Sequence, residues 1–266
     1  MEPMATIALR AARKAADVMV RAHDRLDELA IEEKSKNDYV SNIDKECEEI
    51  IIDALHTAYP EHGIIGEESG QAYQHDEFNW IIDPLDGTSN FLHGIPHFSI
   101  SIALKKGRHI EHGVVVNPLQ NEEFVASRGK GAQLNGKRIR VANQPRLDGT
   151  FIASGLPPAL LQTRLEPYLA MFGDCMGACG GMRRSGSAAL DLAYVAAGRL
   201  DAFWEPGLKA WDMAAGIVLV REAGGFVGDF RGGDTMLEDG HIIAANPKLF
   251  KALVQLLKPN VGALLA

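Results

Sequence analysis

The run Trp80-Ile81-Ile82-Asp83-Pro84-Leu85-Asp86-Gly87-Thr88-Ser89-Asn90-Phe91 passes from one kind of structure to another within a few residues. Its apolar start, Trp80 to Ile82, has the length and composition of a buried strand end. Pro84 cannot donate to a strand ladder and biases the residue before it away from helix, so the strand is expected to stop at Asp83. Asp86-Gly87 is turn chemistry. Thr88, Ser89 and Asn90 each suit the cap of a helix beginning near Phe91. Two carboxylates, a hydroxyl and a helix N-terminus therefore meet on one turn. Hard divalent cations want oxygen ligands of this kind, and a helix N-terminus favours a phosphate. Taken alone, Asp83 and Asp86 read as turn caps. What sets them apart is their company: Gly66-Glu67-Glu68-Ser69 upstream and Trp211-Asp212-Met213-Ala214-Ala215-Gly216 far downstream.

Upstream of the run, residues 5–22 show helical spacing, with Ile7, Ala11, Ala15, Val18 and Met19 on one face. Residues 23–38 are charged and read as partly loop. A second helix follows, with Asp44 as its N-cap, a stripe of Cys47, Ile50, Ile51, Ala54, Leu55 and Ala58, and Pro60 at its end. Residues 63–66 form a short strand that delivers Glu67 and Glu68 at its end. Downstream, residues 98–104, 114–117 and 122–126 read as strands of an antiparallel meander over 97–142. Gly129-Lys130-Gly131 lacks the further glycine and following helix of a nucleotide loop, so it reads as a hairpin turn. The meander disfavours a regular βαβ dinucleotide fold.

The polar stretch 143–147, with Pro145, marks a boundary between two dependent halves of one domain, about 1–145 and 146–266. The second half reads as a strand over 150–154, a helix over 158–172 and a glycine-rich turn over 173–181. A small-residue helix follows over 187–197, then a strand over 200–204 ending in Glu205. Trp211 and Asp212 open an apolar helix reaching Glu222, which Gly224-Gly225 stops. A last strand over 241–245 and a helix over 247–257 precede a tail expected to fray after Pro259.

The totals narrow the function. The chain has 266 residues, and its formal charge of −8 argues against broad electrostatic binding of nucleic acid. It also makes a phosphate substrate awkward without cations. The three cysteines, Cys47, Cys175 and Cys179, have no second Cys or His pair at zinc spacing, and they point to a reducing cytoplasm. No apolar run approaches the ~18 residues of a membrane span.

Together, Asp83-Pro84-Leu85-Asp86-Gly87-Thr88-Ser89-Asn90, Gly66-Glu67-Glu68-Ser69 and Trp211-Asp212-Met213-Ala214-Ala215-Gly216 resemble the inositol monophosphatase family of metal-dependent, lithium-sensitive phosphatases. The likeness spans roughly residues 5–257, and the run from Arg183 to Arg199 resembles the bacterial members. The resemblance implies an α+β fold, a layered αβαβα sandwich of the sugar-phosphatase type, and a homodimer. It puts one Mg2+ on Glu67, Asp83 and the Leu85 carbonyl, a second on Asp83, Asp86 and Asp212, and a third, weaker one on Glu67. Mn2+ is the expected substitute. Four carboxylates in one pocket would be prohibitive without cations, and an oxygen-only set selects Mg2+ or Mn2+ over zinc.

By the same resemblance Thr88, paired with Asp44, orients the attacking water, and the amides of Gly87 and Thr88 hold phosphate oxygens. Gly186, Ser187, Ala188, Glu205 and Asp212 meet the substrate alcohol. Lys36 approaches the metal site, and Arg183 and Arg184 serve a subunit contact. The implied reaction is hydrolysis of myo-inositol monophosphate. Its alternatives are fructose 1,6-bisphosphate, a nucleotide 3'-phosphate or another sugar phosphate. A different class stands beside these: bacterial members also join ribosomal RNA antitermination complexes through Nus factors and RNA polymerase. The negative charge suits a protein partner better than direct RNA contact.

Overall fold

The computed structural model describes residues 1–35, 38–73 and 75–265. Helix α1 (Pro3–His23) buries an alanine-rich face through Ala8, Ala12, Ala15 and Met19. The charged stretch after it, expected to be loop, contains an antiparallel pair, β1 (Ile31–Ser35) and β2 (Asp38–Ser41). Lys36 lies outside the described residues. Helix α2 (Asn42–Ala58) starts at a capping box on Ser41. Asp44 is therefore the third helical residue rather than the N-cap. Its carboxylate reaches back to the Ser41 amide at 2.9 Å.

The next strands are β3 (Gly63–Gly66), β4 (Gly70–Tyr73) and β5 (Phe78–Asp86). Helix α3 (Thr88–Leu92) separates them from β6 (Ser99–Lys106), β7 (His109–Asn117), β8 (Glu122–Ser127), β9 (Gly131–Leu134) and β10 (Lys137–Arg138). They form an eight-stranded sheet in the order β10-β9-β8-β7-β6-β5-β3-β4. From β5 to β10 every pairing is antiparallel, as the meander reading expects. The Gly129-Lys130-Gly131 turn binds no nucleotide-type helix; its Gly129 and Gly131 amides each donate to Glu222 at 2.7 Å.

The second sheet comes from β11 (Phe151–Ser154), β12 (Gly181–Arg183), β13 (Ala202–Glu205), β14 (Phe226–Gly228) and β15 (Ile242–Ala245), in the order β12-β11-β13-β15-β14. Between these strands lie α4 (Leu161–Ala178), α5 (Ala188–Ala196), α6 (Ala210–Glu222) and α7 (Met236–Asp239), and α8 (Pro247–Leu265) closes the chain.

Strand alternation builds the layers. Ile82, Ile100, Ile102, Leu104, Val114 and Val116 face α1 and α2 in one core. Ile81, Ala103, Val115, Phe124 and Ala126 face α5 and α6 in a second. On the far side of the second sheet, Ile152, Ala202, Trp204, Ile243 and Ala245 pack against α4 and α8. The order is helix, sheet, helix, sheet, helix, the expected αβαβα sandwich.

The middle helices sit very close to the first sheet: a Cβ on Gly113 would stand 2.5 Å from the Val218 side chain and 2.7 Å from the Ala215 carbonyl oxygen.

Two helices outrun their sequence signals. Most of the glycine-rich stretch read as a turn, residues 173–178, is the last part of α4, because Tyr168, Met171 and Cys175 continue one buried line; only 179–180 turn before β12. Helix α8 passes through Pro259 to Leu265, because Leu249, Leu253, Leu257, Val261 and Leu264 form one buried line. A mid-helix proline costs about 3 kcal/mol. Burying the two residues beyond it returns about 1.5–3 kcal/mol each.

Candidate active site

The site begins with an irregularity in β5. Asp83 pairs with Ser101 and Asp86 pairs with Ser99, so β5 spends one more residue than β6 over this step. The strand thus continues to Asp86 instead of stopping at Asp83, and Pro84 is tolerated inside the bulge. In a regular strand, residues three apart point to opposite faces. The extra residue restores parity, and both aspartates sit opposite serines two apart, on the face toward α5 and α6. There Ser101 Oγ donates to the Trp211 carbonyl at 3.1 Å, and Ser99 Oγ lies 3.4 Å from Ser187 Oγ.

Each aspartate commits an oxygen to the fold. Asp83 Oδ1 accepts from the Leu85 amide at 3.0 Å. Asp86 Oδ2 accepts from Ser187 Oγ at 2.5 Å and from the Ala189 amide at 2.8 Å. Asp212, third residue of α6, accepts from the Lys209 amide at 2.7 Å. Glu67 follows β3, and its amide donates to the Ile82 carbonyl at 3.1 Å, which sets it beside β5. Asp83 is 1% exposed and Asp86 9%, whereas Glu67 and Asp212 keep more solvent contact.

Burial, and then the neighbouring Glu67, Asp86 and Asp212, hold the Asp83 carboxyl well above its ordinary range. Burial and Asp86 do the same to Asp212. Asp86 is pushed up to about 6 by burial, against the pull of its Ser187 and Ala189 hydrogen bonds.

These donors are all hard oxygens, and their crowding resists ionisation unless positive charge is supplied. That chemistry fits Mg2+ or Mn2+. Among the described residues no three acidic, histidine or cysteine side chains close on a single coordination point. Mg2+ ordinarily completes its shell with water. A separate apolar cavity bordered by Arg221, Phe226, Val227 and Phe250 shares none of these residues and lacks comparable chemistry.

The hydroxyl and its acceptor are in place. Thr88 Oγ1 lies 3.0 Å from Asp44 Oδ1 and 3.0 Å from the Leu85 carbonyl oxygen. Asp44 Oδ2 is held by Ser41 Oγ at 2.6 Å. Asp44 is 1% exposed, and burial raises its pKa despite these bonds. Helix α3 starts at Thr88 itself, so the N-cap is Gly87 at φ +96° rather than Thr88, Ser89 or Asn90. Glycine is required there: a Cβ would approach the His97 and Gly186 carbonyl oxygens at 3.1 and 3.2 Å.

The opposite wall comes from the second half of the chain. Gly186, Ser187 and Ala188 lead into α5, and Glu205 ends β13. Burial, followed by Asp191, Asp212 and Asp86, raises Glu205 well above its usual pKa, while Arg184 opposes the shift. The cluster thus brings Glu205 into electrostatic reach of the three aspartates, and the Gly186–Ala188 segment onto Asp86. Arg183 and Arg184 are exposed, and Arg184 Nη2 donates to the Leu156 carbonyl at 3.3 Å.

Sequence reasoning missed two supports. Asn90 Nδ2 donates to the His97 carbonyl at 2.7 Å and to the Ser185 carbonyl at 2.8 Å, tying α3 to the Gly186 segment. Asp191 is 2% exposed with His97 Nε2 at 3.6 Å. An acidic residue inside the otherwise apolar α5 was the available signal for the second; nothing local distinguishes Asn90.

Comparison with known proteins bears on this arrangement. Residues 1–261 match the inositol monophosphatase family. The chain is 51% identical over 265 residues to "Nus factor SuhB" of Pseudomonas aeruginosa, covering 98% of each. Among solved structures, it is similar to the extragenic suppressor protein suhB from Bartonella henselae, with TM-score 0.91, 44% identity, and 95% of this chain and 97% of that one covered. It is also similar to an inositol monophosphatase from Anabaena, with TM-score 0.85, 34% identity, and coverage of 96% and 94%.

Proposed function

We infer the reaction from one premise: the chain belongs to the inositol monophosphatase family. It is a phosphatase of that superfamily, and we propose that it hydrolyses myo-inositol monophosphate to inositol and phosphate with Mg2+ as cofactor. The observation that carries the reading is the gathering of Asp83, Asp86 and Asp212 beside Glu67, where burial and mutual repulsion oppose ionisation. Glu67, Asp83 and the Leu85 carbonyl would hold one Mg2+, and Asp83, Asp86 and Asp212 a second. A third would lean on Glu67, and Mn2+ would serve in the same oxygen set. Bound there, Mg2+ supplies Lewis acidity and lowers the pKa of a coordinated water toward neutrality.

The chain's own residues do the rest. Thr88, between Asp44 and the Leu85 carbonyl, orients the attacking water and accepts a hydrogen bond from it as its own proton leans on Asp44. The amides of Gly87 and Thr88 hold phosphate oxygens at the start of α3. Ser187 keeps Asp86 in place, and Gly186, Ala188, Glu205 and Asp212 meet the inositol hydroxyls. No side chain becomes phosphorylated. The pattern of Gly186, Ser187 and Ala188 with Glu205 favours a polyol over fructose 1,6-bisphosphate or a nucleotide 3'-phosphate. Lithium inhibition follows from the family.

The test is phosphate release from inositol 1-phosphate with and without Mg2+, with lithium and Asp83→Asn as controls. Mg2+-dependent, lithium-sensitive turnover lost in the variant supports the assignment. No turnover by a folded protein on this substrate or a small sugar-phosphate panel overturns it.

A second reading has its own observation, the Nus factor name of the relative that matches 98% of the chain. On that reading a cytoplasmic homodimer, with Arg183 and Arg184 at the subunit contact, also joins ribosomal RNA transcription complexes through Nus factors and RNA polymerase. Co-purification of those proteins with the Asp83→Asn variant would support a role separable from catalysis. Their absence from wild-type and variant eluates alike would refute it. Among the described residues no helix is long and apolar enough to cross a membrane.

A further inference from the structure

Helix α2 carries a second buried carboxylate. Glu48 lies four residues after Asp44, on the same helix face, and is 2% exposed. Both of its oxygens are taken by consecutive main-chain amides: Glu68 N is 3.0 Å from Oε2, and Ser69 N is 2.7 Å from Oε1. Such charge-assisted bonds compensate the cost of burying a carboxylate. Room for the group is made at Gly66, where a Cβ would stand 2.5 Å from Oε2 and 2.8 Å from Oε1. The Glu48 carboxylate therefore lies against the backbone on both sides of Glu67, packed under Gly66 before it and bonded to Glu68 and Ser69 after it. Glu67 lies directly against β5: its amide donates to the Ile82 carbonyl at 3.1 Å, and its side chain meets Asp83. The Glu48 bonds add main-chain anchors on the two residues that follow Glu67.

We propose that Glu48 is a positioning residue that holds the Glu67 turn at the distance from β5 that cation binding requires. One helix then sets two parts of the site, the Thr88–Asp44 pair through Asp44 and the Glu67 ligand through Glu48. The inference rests on the reading of Glu67 as a cation ligand.

The experiment titrates metal-free, full-length protein with Mn2+ by calorimetry, and measures amide exchange at Glu68 and Ser69, for wild type, Glu48→Gln and Gly66→Ala. Glu48→Gln is expected to weaken one class of Mn2+ site roughly 10- to 100-fold, the usual effect of losing a group that orients a ligand. Exchange at both amides should accelerate. Gly66→Ala should reproduce the loss with the Glu48 charge intact, because its methyl displaces the end of that side chain. The double variant should be no weaker than the weaker single one. If Glu48→Gln does not fold, Gly66→Ala decides. Unchanged Mn2+ affinity in a folded variant, even with a lowered melting temperature, overturns the positioning role. Failure of wild type to bind Mn2+ overturns instead the ligand reading beneath it.

Discussion

Replacing Asp86 by asparagine should abolish catalysis yet stabilise the metal-free protein. In that state the Asp86 carboxyl titrates at about 6 against an ordinary 3.8, chiefly because it is buried. A rise of about two pH units means that the ionised form costs about 3 kcal/mol, at about 1.36 kcal/mol per unit. Asparagine avoids that cost without breaking the fold. Both donors, Ser187 Oγ and the Ala189 amide, converge on the single oxygen Oδ2. The amide oxygen can take that place and turn the NH2 toward the remaining carboxylates.

The sign follows from proton linkage. A raised carboxyl pKa means that the folded state holds the proton longer, so wild-type stability falls as pH rises from 3.8 to about 6. The advantage of Asp86→Asn is therefore absent below about pH 4 and complete above about pH 6.

Urea melts after chelation, at pH 4, 5, 6 and 7.5, would measure it. The expected gap at pH 7.5 is about 3 kcal/mol, or roughly 5–10 °C in Tm for a chain of this size. Saturating Mg2+ at pH 7.5 should reverse the order, since wild type binds the cation more tightly. A metal-free variant no more stable than wild type at pH 7.5, or a gap undiminished at pH 4, would refute the idea that burying the ionised Asp86 carboxylate is costly.

Thr88→Val removes the hydroxyl between Asp44 and the Leu85 carbonyl while keeping its volume, so kcat should fall about 10²- to 10⁴-fold with KM nearly unchanged. A change confined to KM would contradict the water-orienting role. Gly113→Ala should cost about 1–3 kcal/mol in denaturant melts, because its methyl meets the Ala215 carbonyl and the Val218 side chain on α6. Truncation after Lys258 removes the buried Val261 and Leu264 and should lower stability by several kcal/mol, about 1.5–3 for each side chain. If the truncated chain melts like the full one, the last turns of α8 contribute nothing.

Much of the candidate site was legible because its carboxylates are clustered in sequence at element ends. Asp83, Asp86 and Thr88 share one turn, and Glu67 and Asp212 each stand where a strand or helix begins or ends. The antiparallel meander, the apolar helix from Trp211 and the core stripes of α1 were equally plain, since alternation and helical spacing are local properties. The same locality explains the errors. Pro84 and the glycines of α4 are breakers on their own, and only partners elsewhere in the chain outweigh them. Pro84 is absorbed because β6 accepts a bulge, and α4 and α8 outlast their breakers because buried lines of side chains need the extra turns.

What the amino-acid sequence determined by itself is the inventory: which oxygens exist, and which turns and helix starts present them. What only the tertiary structure decided is their relation. The bulge between Asp83 and Asp86 turns both carboxylates to one face. Ser187, about a hundred residues away, orients Asp86. Asn90 joins the two walls, and Glu48 fixes the turn that bears Glu67. Such facts depend on strand register and on long-range packing. A single residue's displacement in register would leave every local signal unchanged and move half of these oxygens to the other side of the sheet.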